Sequence, residues 1–535
     1  MKSVLATQLR QLLHEANTAI ALFDIREAGE IHGGHIPGAT ALPRRMIELR
    51  IHELVMARAT PIVVYDEGGG RAELAAQTLG RLGYCNVSVL QGGTAAWKSA
   101  GGELVEGRNV PSKVFAEKMF KDQEVPQITA DTLQQWIAGN KPHVIFDIRA
   151  PEEHRIGHVP NAHNVAGVEV TLIAQDLEQK KIPVVVHCAG RTRSILACQT
   201  LRDLGLKDVY ALKNGTMGWT LAGFELARET GPQYAAASAA GRAEGAQRSK
   251  KLAVEHGVEY VDAAQLTEWL KQSAAGEINC YAFDVRQADN YAAGHIAGTR
   301  SLPGGQAVLF ADDNAAVRNA SIVFIDEEEA QASMTAYWFK RLGYPKVFVL
   351  AGGIPAWQKH TNQALESGKT RASPMLFKEA RETTRQITAA DLSALMTAEP
   401  ALRILDVNTS KNFAAGHIRN ARWVSRGWLE PRADELLPDH AQPVAVVCQN
   451  GVQSAYAGAT LHALGYKSVY VLAAGLASWK KAGLPLETGA PASAAGSADV
   501  VKSPYERTKE DMVKYLHWEE QLADKPGKEP AKSKP

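Results

Sequence analysis

The sequence predicts an α/β protein built as four tandem units, each a parallel sheet with helices packed on both faces. Three observations carry that expectation. One fixed Asp-to-His interval occurs four times, at 24→35, 147→158, 284→295 and 406→417. A second fixed interval runs in step with it, at 66→97, 188→219, 326→357 and 448→479, and always ends on a tryptophan. Between these marks, apolar runs of strand length alternate with runs of helical period, the pattern expected of strands that pair in parallel.

Each unit opens on an apolar strand with an acidic step: "LFDIR" (22–26), "IFDIR" (145–149), "AFDVR" (282–286) and "ILDVN" (404–408). A carboxylate at a strand end can accept from the next turn, so Asp24, Asp147, Asp284 and Asp406 read as structural. A Gly-His pair and a branched residue follow, with the histidines at 35, 158, 295 and 417. They occur in every copy, including those without a cysteine, which favours a structural hydrogen bond over catalysis. The second strand comes next: "PIVVYD", "PVVVHC", "SIVFID" and "PVAVVC". It ends on Asp66, Cys188, Asp326 or Cys448, the place where parallel α/β sheets bind ligands. A helical pattern then closes on "RLGY", "DLGL", "RLGY" or "ALGY", where glycine marks a helix C-terminus. A third strand leads into a glycine turn and the tryptophan.

These repeats place the units at 1–107, 126–228, 257–366 and 385–489, followed by a tail over 490–535. The stretches 107–125, 229–248 and 367–384 read as linkers, and the Pro/Lys-rich end of the tail reads as disordered. Within the tail, "TKEDMVKYLHWEEQL" has the pattern of one helix packed on a neighbouring domain. Copies one and three are offset by the same interval as copies two and four (66→326 and 188→448), which points to a duplicated pair.

Bulk properties narrow the function class. The 59 Lys and Arg against 58 Asp and Glu leave a net charge of +1, so nothing draws the chain to nucleic acid or a membrane surface. The N-terminus has no uninterrupted apolar signal region, and no stretch is long enough to span a bilayer. Five cysteines without metal-ligand spacing argue against a disulfide framework or a zinc site and fit a reducing, cytoplasmic setting.

The combination of Asp-x-Arg, Gly-His, strand, cysteine, six-residue loop, helix and Gly-x-x-x-Trp resembles the rhodanese (sulfurtransferase) domain, in four copies covering about four-fifths of the chain. The resemblance implies four rhodanese-like domains, each with a mostly parallel five-stranded sheet. It implies sulfane-sulfur transfer through a cysteine persulfide, with no metal or organic cofactor. A small-molecule donor such as thiosulfate, a thiol or cyanide acceptor, and a protein sulfur acceptor are the partners it implies.

The four aligned loops are "DEGGGRA" (66–72), "CAGRTRS" (188–194), "DEEEAQA" (326–332) and "CQNGVQS" (448–454). In copy two Cys188 is the expected nucleophile, and Ala189, Gly190, Arg191, Thr192, Arg193 and Ser194 are the expected anion cradle. A helix N-terminus and nearby arginines favour the thiolate over the thiol. The family loop commonly has glycine at its fourth position, whereas here Gly190 is third and Arg191 fourth. Copy four offers Cys448 with Gln449, Asn450, Gly451, Val452 and Gln453. Gln453 stands where copy two has Arg193, so Cys448 is expected to react less readily with thiosulfate. Asp66 and Asp326 cannot accept sulfur, which marks copies one and three as inactive scaffold or docking modules. Arg149 is expected in a salt bridge and His187 in the core; Cys198 reads as a buried helix residue, and Cys85 and Cys280 as incidental. Two other readings stand beside sulfur transfer: a sulfur-carrier scaffold, and a phosphatase or arsenate reductase, which the short Cys-x4-Arg spacing disfavours.

Overall fold

The computed structural model describes residues 2–15, 18–228, 231, 233–369, 373–491 and 498–524. Four five-stranded sheets are present, and every strand pair in them is parallel. Within each copy the spatial order is first–fifth–fourth–second–third. In copy two this reads Gln127–Ile128, Val209–Leu212, Val184–His187, Val144–Asp147 and His163–Asn164. The strand that ends at the cysteine or aspartate is therefore central. Its neighbour is the strand carrying the acidic step, and the chain leaves these two strands in opposite directions. A crevice opens beyond their carboxyl ends at such a reversal.

Burial on both faces explains why the strands are nearly continuous apolar runs. In copy four Val444, Val446 and Cys448 enter one core cluster, whereas Ala445 and Val447 enter the other. The recurrent tryptophans anchor the second face. The indole N–H of Trp97, Trp219 and Trp479 donates to the carbonyl of Glu103, Glu225 and Pro485 at 2.9–3.0 Å.

The fixed loop-to-tryptophan interval has a backbone cause. The helix bearing each tryptophan starts against the loop, and Thr94, Thr216, Ile354 and Leu476 donate their N–H to the carbonyls of Asp66, Cys188, Asp326 and Cys448. The preceding glycine sits at positive φ, +53° at Gly215 and +62° at Gly475, and a Cβ there would overlap the cysteine carbonyl oxygen. Only glycine fits such a place.

The linker expectation is corrected. Helix Val110–Asp122 occupies most of the first stretch, Ala239–Glu255 covers the second half of the next, and Phe377–Glu382 lies within the third. The Ala/Gly-rich helix is capped by Ser238, whose hydroxyl accepts from the Gly241 N–H at 2.8 Å. Gly241 and Gly245 let it approach Asp176 and the carbonyl of Thr171 too closely for a side chain. Its small residues serve packing rather than flexibility. The tail carries the expected helix, Lys509–Glu520, capped by Thr508 and followed by a 3₁₀ turn at Gln521–Ala523. The disorder expectation for the end of the tail falls on 525–535, outside the described residues.

The chain divides into two compact units. One gathers Met1–His14, Ile20–Arg108 and Ala372–Val501, so it holds copies one and four. The other gathers Glu15–Ala19, Asn109–Arg371 and Lys502–Pro535, so it holds copies two and three with the part of the tail from Lys502 onward. Each unit contains one cysteine loop and one aspartate loop.

Candidate active site

The Asp-x-Arg step forms the floor beside each loop. In copy two Arg149 bonds both carboxylate oxygens of Asp147, at 2.8 and 2.6 Å, and the carbonyl of Gly157 at 2.5 Å, with both side chains fully buried. Burial favours neutral Asp147, but His187 nearby and hydrogen bonds from Arg149 and His154 outweigh it and hold the acid well below the usual carboxylate range. Arg26 and Arg286 make the same contacts in copies one and three. Copy four has Asn408 instead, which leaves Asp406 Oδ2 buried without a partner.

The Gly-His histidines are structural, as expected. Nδ1 of His35, His158, His295 and His417 lies 2.9–3.2 Å from the carbonyl four residues earlier. Their backbones pair with Val105, Ala227, Glu366 and Glu487. His187 is fully buried, and burial lowers its imidazole to about 4 against the attraction of Asp147. Cys198 is buried in the helix Thr192–Asp203, and burial lifts its thiol to about 12.

The loops themselves are anion nests. Asp66 Oδ1 accepts from the N–H of Gly68 at 2.7 Å, and Oδ2 accepts from Arg71 and Ala72 at 2.8 and 3.2 Å. Asp326 does the same with Glu329, Gln331 and Ala332, at 2.7, 2.8 and 3.2 Å. Burial nevertheless lifts Asp326 to about 7, against those three donors. In copy four the Cys448 sulfur takes this place, accepting from the N–H of Gly451 at 3.2 Å and Ser454 at 3.3 Å. Converging backbone N–H groups at a helix start hold negative charge. The aspartate copies fill the nest with their own side chain, and in copy four the cysteine sulfur stands in the same place.

The two cysteine loops differ in shape. Gly451 caps its helix at φ +87°, as Gly70 and Glu329 do at +88° and +64°. Arg191, the fourth residue in copy two, sits at φ −122°. The displaced glycine thus changes the loop backbone, and the Cys188 sulfur meets the Ser194 hydroxyl at 3.5 Å.

The arginines expected to serve Cys188 are held by carboxylates. Arg191 bonds Glu117 through Nε and Nη2 at 2.6 and 2.7 Å, and its Nη1 reaches Asn214 and Glu520 at 3.1 and 3.0 Å. Arg193 bonds both oxygens of Glu153 at 2.6 and 2.8 Å. Thr192 donates to Glu519 at 2.6 Å, while Ala189 and Gly190 are buried beside the cysteine. In copy four Gln449 and Asn450 are exposed and Gly451 and Val452 partly so. The Gln449 N–H donates to Asn408 Oδ1 at 2.8 Å. Gln453 turns away from the sulfur, its amide donating to the Arg45 carbonyl at 3.1 Å.

Sequence reasoning missed Glu117, Glu153, Tyr505, Tyr515, Glu519 and Glu520, which surround the copy-two loop. The helical pattern of the tail pointed toward Tyr515, Glu519 and Glu520; no sequence signal pointed to Glu117, Glu153 or Tyr505. Among the described residues no cluster of His, Cys, Asp or Glu is arranged to hold a metal, and no helix is long and apolar enough to cross a membrane.

Comparison with known proteins agrees with this architecture. A family model described as a rhodanese-like domain matches residues 5–100, 129–222, 263–360 and 388–482. A crystal structure of thiosulfate sulfurtransferase from Pseudomonas aeruginosa superposes with a TM-score of 0.87 at 35% identity, covering 98% of this chain and 97% of that one. A curated thiosulfate sulfurtransferase of the same organism is 28% identical over 240 residues, 37% of this chain and 88% of the relative. An uncharacterised Bacillus subtilis protein, YqhL, is 32% identical over 88 residues, 16% of this chain and 69% of its own length.

Proposed function

The chain belongs to the rhodanese-like family, and from that premise we propose that it is a sulfurtransferase that carries sulfane sulfur on Cys448 and Cys188. One observation carries the reading: the nest that binds a carboxylate in copies one and three presents its N–H groups to a sulfur in copy four. Backbone N–H groups that point at a side-chain oxygen in two copies and at a sulfur in a third are placed to donate to a persulfide anion on that sulfur.

The reaction is a double displacement. The cysteine thiolate attacks the outer sulfur of a donor such as thiosulfate. A new S–S bond forms at the cysteine as the donor S–S bond breaks, and sulfite leaves with the electron pair. The persulfide then yields its outer sulfur to a thiol, to cyanide or to a sulfur-accepting protein, and the thiolate is regenerated. Copies one and three are inert because their nests are already filled by Asp66 and Asp326, and a carboxylate accepts no sulfane sulfur. The unpaired cysteines favour a reducing compartment such as the cytoplasm.

Intact-protein mass after incubation with thiosulfate tests the reading on wild type, Cys188→Ser and Cys448→Ser. Each competent cysteine adds one sulfur, which cyanide then removes. A wild-type protein that gains no sulfur from thiosulfate or from a glutathione persulfide overturns it.

A further inference from the structure

Of the four loops, only the one in copy two is buried almost throughout, with Cys188, Arg191, Thr192 and Ser194 no more than 4% exposed. Its cover is the tail. The helix Lys509–Glu520 packs on Val110–Asp122, where Lys113 lies over the rings of Tyr515 and Trp518 at 5.4 and 5.1 Å. Two anchors fix it to the site. At one end the Tyr505 hydroxyl donates to Glu153 at 2.7 Å and accepts from Arg149 at 3.0 Å. At the other, Glu519 and Glu520 take the Thr192 hydroxyl and Arg191. A side chain at Gly190 would meet Glu519 Oε2 at 3.2 Å and Tyr515 at 3.6 Å, which places both directly over the loop.

Glu519 is the informative residue. It is 1% exposed, and its Oε2 has no hydrogen-bond partner. Arg191 and Arg193 are already engaged by Glu117, Glu520 and Glu153. An incoming dianion therefore meets the Glu519 carboxyl directly over the loop, while Arg191 and Arg193 are already tied to other carboxylates. Among the described residues none covers the copy-four loop in this way, and its Gln449 and Asn450 are exposed.

We propose that the C-terminal helix is a lid that completes the Cys188 site and that Glu519 makes the site reject anionic sulfur donors, leaving those to Cys448. Cys188 then takes its sulfur from neutral or cationic carriers. This rests on the persulfide reading above, but it can be tested apart from it, because alkylation reads access and charge without sulfur chemistry.

The full-length chain is compared in a Cys448→Ser background with and without Glu519→Gln. Cys188 is followed by mass during reaction with iodoacetate, an anion, and iodoacetamide, its neutral analogue; in each the thiolate forms an S–C bond and iodide leaves. The lid predicts a low iodoacetate-to-iodoacetamide rate ratio that E519Q raises about tenfold, as expected for loss of one buried like charge at short range. Glu519→Ala, which also opens space, should raise both rates and the ratio. Thiosulfate labelling of Cys188 should rise with the ratio. An unchanged ratio in both variants, or a Cys448 ratio, read in a Cys188→Ser background with the tail intact, that equals the Cys188 ratio, overturns the proposal. Changed alkylation ratios without any sulfur uptake would leave the lid standing and remove the sulfurtransferase reading.

Discussion

A single substitution in copy four shows how far one side chain reaches. Where copies one to three have Asp-x-Arg, copy four has Asp406 and Asn408. Burial pushes Asp406 up to about 7, with the Asn408 backbone and side chain pulling it down only in part. The sign follows from linkage. A carboxyl raised in the fold contributes stability that is full below its unfolded value near 4 and is lost as pH climbs toward 7. Copy four should therefore weaken from about pH 4 to about pH 7 and be less stable at pH 8 than at pH 5. Asp406→Asn should flatten that slope and stabilise the copy at pH 8 by on the order of 1–3 kcal/mol. Denaturant-dependent alkylation of Cys448 at both pH values checks this, and parallel slopes in wild type and variant would count against it. The exchange at 408 was legible in the sequence. Its consequence was not, because nothing in "ILDVN" says that Asp406 Oδ2 is buried without a partner.

At the level of the element, the strand, loop and helix were readable because their geometry is local and repeated. The Asp-to-His and loop-to-tryptophan intervals survive in all four copies because backbone groups near their ends are hydrogen-bonded. Gly475 shows this most directly. Gly475→Ala forces a Cβ against the Cys448 carbonyl oxygen at φ +62° and should cost about 1–3 kcal/mol. It should also displace the nest, and a shift of about 1 Å would lower sulfur loading on Cys448 by roughly tenfold or more while Cys188 loads as before. Mass analysis of the two cysteines in one sample gives both numbers. The helices in the expected linkers were not readable, because tertiary packing rather than propensity stabilises them. Nor were the ion pairs of Arg191. Its carboxylates come from Glu117, 74 positions earlier, and from Glu520, 329 positions later.

On the scale of the molecule, sequence offsets group copy one with two and copy three with four, whereas the compact units join one with four and two with three. Buried charge holds the first of these units together. Arg426 bonds both oxygens of Glu48 at 3.1 and 2.6 Å, with both side chains 7% exposed or less. Glu48→Ala removes the carboxylate that bonds Arg426 directly and should cost about 3–5 kcal/mol. Because the loss falls within one unit, the midpoint for exposing Cys448 should drop while that for Cys188 holds. A common shift of both would mean the two units unfold together. The tail adds a consequence in time. Its covering carboxylate, Glu519, follows Cys188 by 331 positions and is made long after it. At roughly 5–20 residues per second, a growing chain carries that cysteine unlidded for about 15–65 s. During synthesis copy two is thus an open thiol beside copies still being made, and its discrimination arrives only with the helix Lys509–Glu520.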